Sequence, residues 1–383
     1  MKRIALVFFD AGGGHRSAAL ALEASIRQQN LPFEVLLVNL QETLDRLDIL
    51  RRFTGIRIQD FYNLMLRRGW TLGSPQLMRV LQVFVRLFHR PAVRALRTLW
   101  RENEMDLVVS LVPHFNRALC ESFTNVFPGR PFATVLTDLA DYPPHFWIER
   151  QRQYVICGTG RAVEQAREMG HPSEEVFRAS GMILHPRFYE PDPPGRAAER
   201  QKLGLDPGLP TAILLFGGHG SWKMLDIVRR LDRSSLDLQL ILICGRNEKL
   251  VEALRREKTR LRMFVEGFTK QIPYYMFLSD FLIGKPGPGS ISEALAKRLP
   301  VIVDCNAWTL PQERYNAQWV RENGVGLVVR SHREIARATE ELLQPGRLER
   351  SRERAAAFDN RAVFEIPKIF EKILSTSRVA NGQ

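Results

Sequence analysis

The stretch that decides the fold runs Phe281-Leu282-Ile283-Gly284-Lys285-Pro286-Gly287-Pro288-Gly289-Ser290-Ile291-Ser292-Glu293-Ala294. An apolar run without alternation, a turn of glycines and prolines, and then an amphipathic segment read as a buried parallel strand feeding a helix. The helix start offers unpaired backbone N–H groups, with the Ser290 hydroxyl placed to cap them, and so forms a cradle for a diphosphate. Glu293, one turn further, has two readings. It complements the helix dipole, or it accepts bonds from both hydroxyls of a ribose held at that terminus.

The same device occurs twice more: Phe216-Gly217-Gly218-His219-Gly220-Ser221 follows an apolar run, and Asp10-Ala11-Gly12-Gly13-Gly14-His15-Arg16-Ser17 lies between residues 4–9 and a helix expected from about 17 to 29. Short unalternating runs at 35–38, 107–111, 133–136 and 154–157 continue the first half. Glu190-Pro191-Asp192-Pro193-Pro194-Gly195 breaks the pattern, which restarts at 212–216, 238–244, 263–265, 281–284, 301–303 and 327–329. At 383 residues the chain exceeds one ordinary core. The pattern predicts an α/β protein of two doubly wound domains, 1–189 and 196–358, with a closing helix within 359–376. Ligands are then expected at the carboxyl ends of both sheets, in a cleft between them.

The turn at 10–17 departs from a dinucleotide fingerprint, because Ser17 stands where glycine is needed and Asn39 where an acid is needed. A nicotinamide cofactor is therefore disfavoured. His15 either caps this turn or moves a proton and bonds a substrate hydroxyl.

Lysine and arginine total 55 against 42 acids, a net charge of +13. Much of the excess is local, for residues 51–101 hold eleven arginines, no lysine and one acid, Asp60. On a helical wheel Arg79, Arg86, Arg90, Arg94, Arg97 and Arg101 fall within about 80° of one another, opposite Leu77, Val80, Leu81, Phe84 and Phe88. Pro91 must kink or restart that helix. The face is either a solvated helix surface or one that docks on anionic lipid head groups, at roughly 1 kcal/mol per basic residue. A nucleic-acid partner is not indicated, since no exposed aromatics interleave the basic run. Cys120, Cys157, Cys244 and Cys305 lack C-x-x-C spacing, which suits buried thiols in a reducing compartment. The apolar run after Met1-Lys2-Arg3 is shorter than a signal-peptide core or a spanning helix, so the expected location is cytoplasmic, peripheral on the inner face of the cell membrane.

With these residues in view, most of the chain resembles the monogalactosyldiacylglycerol synthase and processive diacylglycerol glucosyltransferase family, itself related to the transferase that adds GlcNAc to lipid-linked peptidoglycan precursor. Gly12-Gly13-Gly14-His15-Arg16-Ser17-Ala18 is similar to its G-G-G-H-x-x-A turn. Val135-Leu136-Thr137-Asp138-Leu139 is similar to its T-D-[LF] segment, and Ser180-Gly181-Met182 through Phe188 to the segment before the linker. Lys285 to Ala294 with Pro300 resembles K-x-G-x-x-[TS]-x-x-E-A-x-x-x-x-x-P, followed by Pro311-Gln312-Glu313-Arg314-Tyr315-Asn316 in family order.

The resemblance implies a GT-B fold, with an N-terminal acceptor domain, a C-terminal UDP-sugar donor domain and a last helix crossing back. It also implies inverting hexose transfer from a UDP-sugar to a lipid acceptor, diacylglycerol first among the candidates, without an obligatory metal or any cofactor. Carried over by residue, Gly218, Gly289 and Ser290 would hold the diphosphate and Lys285 would offset its charge. Phe268 and Ile272 would sandwich uracil, Glu293 would bind ribose, and Gln312, Glu313 and Asn316 would bond the sugar hydroxyls. Gly13 and Gly14 form the acceptor-side turn, and further acceptor residues are expected within 51–73.

Inverting transfer needs a base for the acceptor hydroxyl. Asp138 stands first, with a turn-capping role as its alternative. His15 stands second. His145 stands third, because it falls two residues later than the family spacing after Asp138, and Asp141-Tyr142-Pro143-Pro144 reads as an insertion. Three rivals remain: transfer to another lipid or small acceptor, a UDP-GlcNAc 2-epimerase-like isomerase, and a non-catalytic UDP-sugar-binding protein.

Overall fold

The apolar runs form strands because both their faces are covered, and the computed structural model, which describes residues 1–10, 13–45 and 85–381, arranges them as two parallel sheets. One unit comprises Met1–Pro186, Leu310–Gln312 and Asn360–Gln383, the other Arg187–Thr309 and Glu313–Asp359.

The first unit holds β1 (Lys2–Phe8), β2 (Phe33–Asn39), β3 (Leu107–Ser110), β4 (Phe132–Val135), β5 (Tyr154–Cys157) and β6 (Val176–Arg178), in the order β2-β1-β3-β4-β5-β6. Among its described helices, α1 (Gly14–Gln28), α2 (Leu40–Asp45), α3 (His89–Glu102), α4 (Asn116–Val126) and α5 (Gly160–Glu168) lie within the first half of the chain. Strand alternation sorts the layers. Ile4, Leu6 and Phe8 meet Ala19, Leu22 and Ile26 of α1 together with Ile366, Phe370 and Ile373 of the last helix. Ala5 and Val7 face Leu96 and Trp100 of α3 and Phe123 of α4.

The second unit holds β7 (Thr211–Leu215), β8 (Gln239–Ile243), β9 (Met263–Glu266), β10 (Phe281–Gly284), β11 (Val301–Asp304) and β12 (Gly326–Val329), in the order β12-β11-β10-β7-β8-β9. Its helices are α6 (Arg196–Lys202), α7 (Lys223–Asp232), α8 (Glu248–Arg256), α9 (Ile272–Phe277), α10 (Pro288–Ala296), α11 (Pro311–Glu322), α12 (Ile335–Leu342) and α13 (Arg347–Ala356). In each sheet the strand order reverses once, between β1 and β3 and between β7 and β10. These switch points are where doubly wound folds bind ligands.

The final helix, α14 (Ala362–Asn381), is longer than the pattern suggests. Its start is seated on Ser180-Gly181-Met182. The Arg361 N–H donates to Ser180 Oγ at 2.6 Å, the Ser180 N–H to Glu365 Oε2 at 2.7 Å, and the Asn360 amide to the Met182 carbonyl at 2.9 Å. A Cβ on Gly181 would lie 2.6 Å from the Asn360 side chain, so this motif is a seat for α14.

In the second unit a buried ion cluster ties α6 to the sheet. Asp280 accepts from Arg200 at 2.7 Å, from Arg196 at 2.9 Å and from the Thr211 N–H at 2.8 Å. Removing one member of such a cluster leaves a buried charge without its counter-ion, at about 3–5 kcal/mol. Asp280→Ala is expected to lower the stability of the second unit by roughly that amount in denaturant titration. A loss below about 1 kcal/mol would contradict this account.

Candidate active site

In the second unit the turns after β7, β8 and β10 converge. Gly217 and Gly245 both adopt left-handed backbone, at φ 79° and 59°. A Cβ on Gly245 would lie 2.3 Å from the Gly218 carbonyl, which accepts the Arg246 N–H at 3.0 Å. The space above Gly218 and Gly289 is open, with no atom within 4 Å of an added Cβ.

Helix α10 starts earlier than the sequence suggests. Its N-cap is Gly287 and Pro288 is its first residue, so Ser290 sits at the third helical position and caps nothing. Proline suits that first position because no N–H is needed there. The free N–H groups of the first turn therefore belong to Gly289 and Ser290. The Glu293 carboxyl has no hydrogen-bond partner among the described residues. Although its surface is only partly covered, protein surrounds it closely enough that loss of hydration raises it to about 7.

The residues expected at the donor sugar have distinct surroundings. Glu313 is buried and accepts from Lys285 Nζ at 2.7 Å. Asn316 is fully buried and donates to the Pro286 carbonyl at 2.9 Å, which makes it a support for the turn beneath the open space. Gln312 lies in the first turn of α11, with a buried Oε1 that has no partner. Phe268 is 56% exposed with the Arg246 guanidinium 4.8 Å above its ring, and Ile272 opens α9 half-buried.

The first unit gathers a second cluster at its own switch point. Helix α1 begins at Gly14, after Gly13 at φ 81°, so His15 belongs to the first helical turn and not to the loop. Its Nδ1 lies 3.1 Å from Thr137 Oγ1 and its ring centroid 5.7 Å from that of Trp147. Burial pushes the imidazole down to about 4 despite the Leu111 carbonyl beside it, which favours the protonated ring. Asp138 is 8% exposed and accepts the Trp147 indole N–H at 2.9 Å.

The segment read as an insertion is what delivers Trp147. Asp141 is buried and accepts the Trp147 N–H at 2.6 Å and the His145 N–H at 3.1 Å, while Gln165 holds its backbone from the other side. Burial raises the Asp141 carboxyl to about 6 against the backbone donors that favour its charge. His145 is exposed at φ 62°, and among the described residues no hydrogen bond or ring contact joins it to His15 or Asp138. The sequence reading placed Asp141 in an insertion and gave Trp147 no role in the site. The available signal was an aspartate four and six residues before the backbone it holds.

Helix α3 takes Pro91 into its first turn, where its ring is tolerated. Arg86, Arg90, Arg94 and Arg101 are exposed, and Leu87 beside them is 73% exposed. Arg97 departs from this face, half-buried with an unpartnered Nε. Arg79 and the stretch 51–73 lie outside the described residues. Among the described residues no helix is long and apolar enough to cross a membrane.

Residues 212–371 match the glycosyltransferase family 28 C-terminal domain. The chain is 27% identical over 374 residues to the chloroplastic monogalactosyldiacylglycerol synthase of Spinacia oleracea, covering 90% of this chain and 66% of that one. It therefore spans about two thirds of that relative's length. Among solved structures, Anabaena HepE in complex with UDP superposes with a TM-score of 0.57 at 18% identity, over 98% of this chain and 100% of that one. Acinetobacter baumannii MurG gives 0.61 at 13%, over 97% and 100%. The fold is GT-B, and residues 212–371 are similar to the glycosyltransferase family 28 C-terminal domain.

The neutral state of His15 is directly measurable. Its ring resonances are expected to titrate with a midpoint near 4, leaving the imidazole uncharged at pH 7. A midpoint above 6 would mean the ring is hydrated and the cluster is not closed around it.

Proposed function

We propose that the chain transfers a hexose from a UDP-sugar to a glycerolipid hydroxyl, diacylglycerol first, at an anionic membrane surface. The observation that carries the donor half is the start of α10, where two free N–H groups, an open glycine surface and an unpaired carboxyl at Glu293 lie within a family 28 domain. HepE, of the same fold, was solved with UDP and with UDP-glucose, which supports the choice of nucleotide. Similarity to a monogalactosyldiacylglycerol synthase supports the lipid acceptor.

In this reading the Gly289 and Ser290 N–H groups and the α10 dipole hold the diphosphate, and Lys285 adds a full charge as UDP departs. Phe268 offers its exposed face to uracil, with Ile272 on the far side. Glu293 accepts from the ribose hydroxyls, Gln312 and Glu313 meet the sugar, and Asn316 keeps the turn in place. At Gly13 and Gly14 the first unit admits the acceptor, whose hydroxyl proton His15 takes. The geometry favours His15 over Asp138 for that step, because the Asp138 carboxylate is engaged in holding Trp147 against the imidazole. The exposed arginines of α3 with Leu87 form the membrane-facing surface on the cytoplasmic side, adding charge attraction to apolar contact.

Incubation with UDP-glucose, UDP-galactose or UDP-GlcNAc and vesicles of diacylglycerol in anionic lipid is expected to yield one glycolipid by mass, with UDP released in step. UDP release that ignores lipid, or interconversion of the UDP-sugars, would support a hydrolase or epimerase instead.

Donor binding should also depend on pH through Glu293. The carboxyl titrates near 7 in the free protein, and only its ionised form accepts from two hydroxyls. UDP-glucose affinity is therefore expected to fall as pH drops from 8 to 6, by up to about tenfold. Glu293→Gln should bind more weakly at pH 8 and lose the dependence. A variant that binds as the parent does at both pH values removes Glu293 from the site.

A further inference from the structure

The turn after β3 holds a residue that neither the resemblance nor the transfer scheme uses. His114 has left-handed backbone at φ 67°, a conformation that non-glycine residues adopt at a cost and that concentrates at functional sites. Its Nε2 is shut away from solvent with no hydrogen-bond partner. Its ring meets Phe146 edge to face, with centroids 4.3 Å apart. Burial pushes the imidazole down to about 4, so it is neutral near pH 7. A half-buried histidine with strained backbone and a sealed, unbonded Nε2 gains little for folding from that nitrogen, since its dehydration is not repaid by a bond.

The turn is nevertheless held firmly. The His114 N–H donates to the Phe146 carbonyl at 2.7 Å, and the Asn116 amide to the Trp147 carbonyl at 2.8 Å. His114 is thereby fixed to the segment that carries Trp147, and Trp147 lies against His15. His114 also follows by three residues Leu111, whose carbonyl lies beside the His15 ring. Both histidines thus stand at the β1/β3 switch point of one sheet. With Nε2 sealed, Nδ1 is the ring atom able to meet a ligand.

We propose that the His114 Nδ1–H donates to an ester carbonyl oxygen of the glycerolipid acceptor and so orients the hydroxyl that His15 deprotonates. This rests on the transferase reading above. It makes His114 an acceptor-positioning residue and leaves donor binding independent of it.

Asparagine and glycine both tolerate left-handed backbone and both lose the Phe146 contact, but only asparagine keeps a polar atom where Nδ1 lies. In the full chain, with diacylglycerol vesicles, His114→Gly is expected to raise the acceptor KM about tenfold while the UDP-sugar KM and lipid-independent UDP release stay within twofold. His114→Asn should restore the acceptor KM to within about threefold of the parent. Equal behaviour of the two variants, whether both active or both impaired, overturns the proposal. If the parent itself forms no glycolipid, the transferase reading fails separately. The His114 Nδ1 resonance then decides: it should move on adding diacylglycerol in bicelles and not on adding UDP, and an unmoved resonance overturns the assignment.

Discussion

The proposed donor site depends on three backbone turns that meet where the strand order of the second sheet reverses. Only residues without a side chain permit that approach, as the 2.3 Å clash of a Cβ at Gly245 with the Gly218 carbonyl makes plain. Because main chain lines the floor, its N–H groups remain presented upward, and the α10 dipole adds to them at the same place. Arg246 and Lys285 are carried in on the same turns, one over the Phe268 ring and one against Glu313. A helix begun by Pro288 completes the arrangement, since its first residue has no N–H and the open donors fall to Gly289 and Ser290.

The carboxylates of the second unit divide by what surrounds them. Asp280 is enclosed by Arg196, Arg200 and a backbone N–H, and its charge is part of the structure. Glu313 is paired once, with a lysine that a diphosphate would also attract, so this bond is exchangeable in a way the Asp280 cluster is not. Glu293 has no partner and has lost hydration, so ionising it is unfavourable until donors arrive. That gradient from fully paired to unpaired runs from the amino end of β10, where Asp280 stands, to helix α10 beyond its carboxyl end, which carries Glu293.

Much of this was legible in the sequence because it is local. Apolar runs without alternation gave away parallel strands, and glycines at fixed offsets after 216 and 284 marked the cradle. What stayed hidden depended on tertiary partners. Strand β6, only Val176–Arg178, is a strand because β5 offers it an edge, and its half-exposed residues carry no period. Ser290 reads as a cap until Pro288 is seen to occupy the first helical position. Asp141 looks like an insertion in a spacing rule, yet it is the anchor that swings Trp147 onto Asp138 and His15. Asn316 matches a sugar-binding pattern by order, but its burial turns its amide toward the Pro286 carbonyl. The arginine face was readable as charge, and the structure adds that Leu87 stands exposed among it while Arg97 turns inward.

The two units also differ in how they handle charge, and the difference suits the proposed transfer. Around the glycine turns of the second unit stand Lys285, Arg246 and the positive end of α10, where negative charge would accumulate as a diphosphate leaves. At the switch point of the first unit His15 and His114 are both neutral, kept so by burial beside Trp147 and Phe146. A cation there would stabilise an alkoxide yet could not receive its proton, whereas a neutral imidazole can accept the proton and become the cation as the oxygen attacks. Burial of aromatic rings around the histidines is therefore not only packing. Under the proposed transfer it sets the protonation state on which the order of events at the acceptor oxygen would depend.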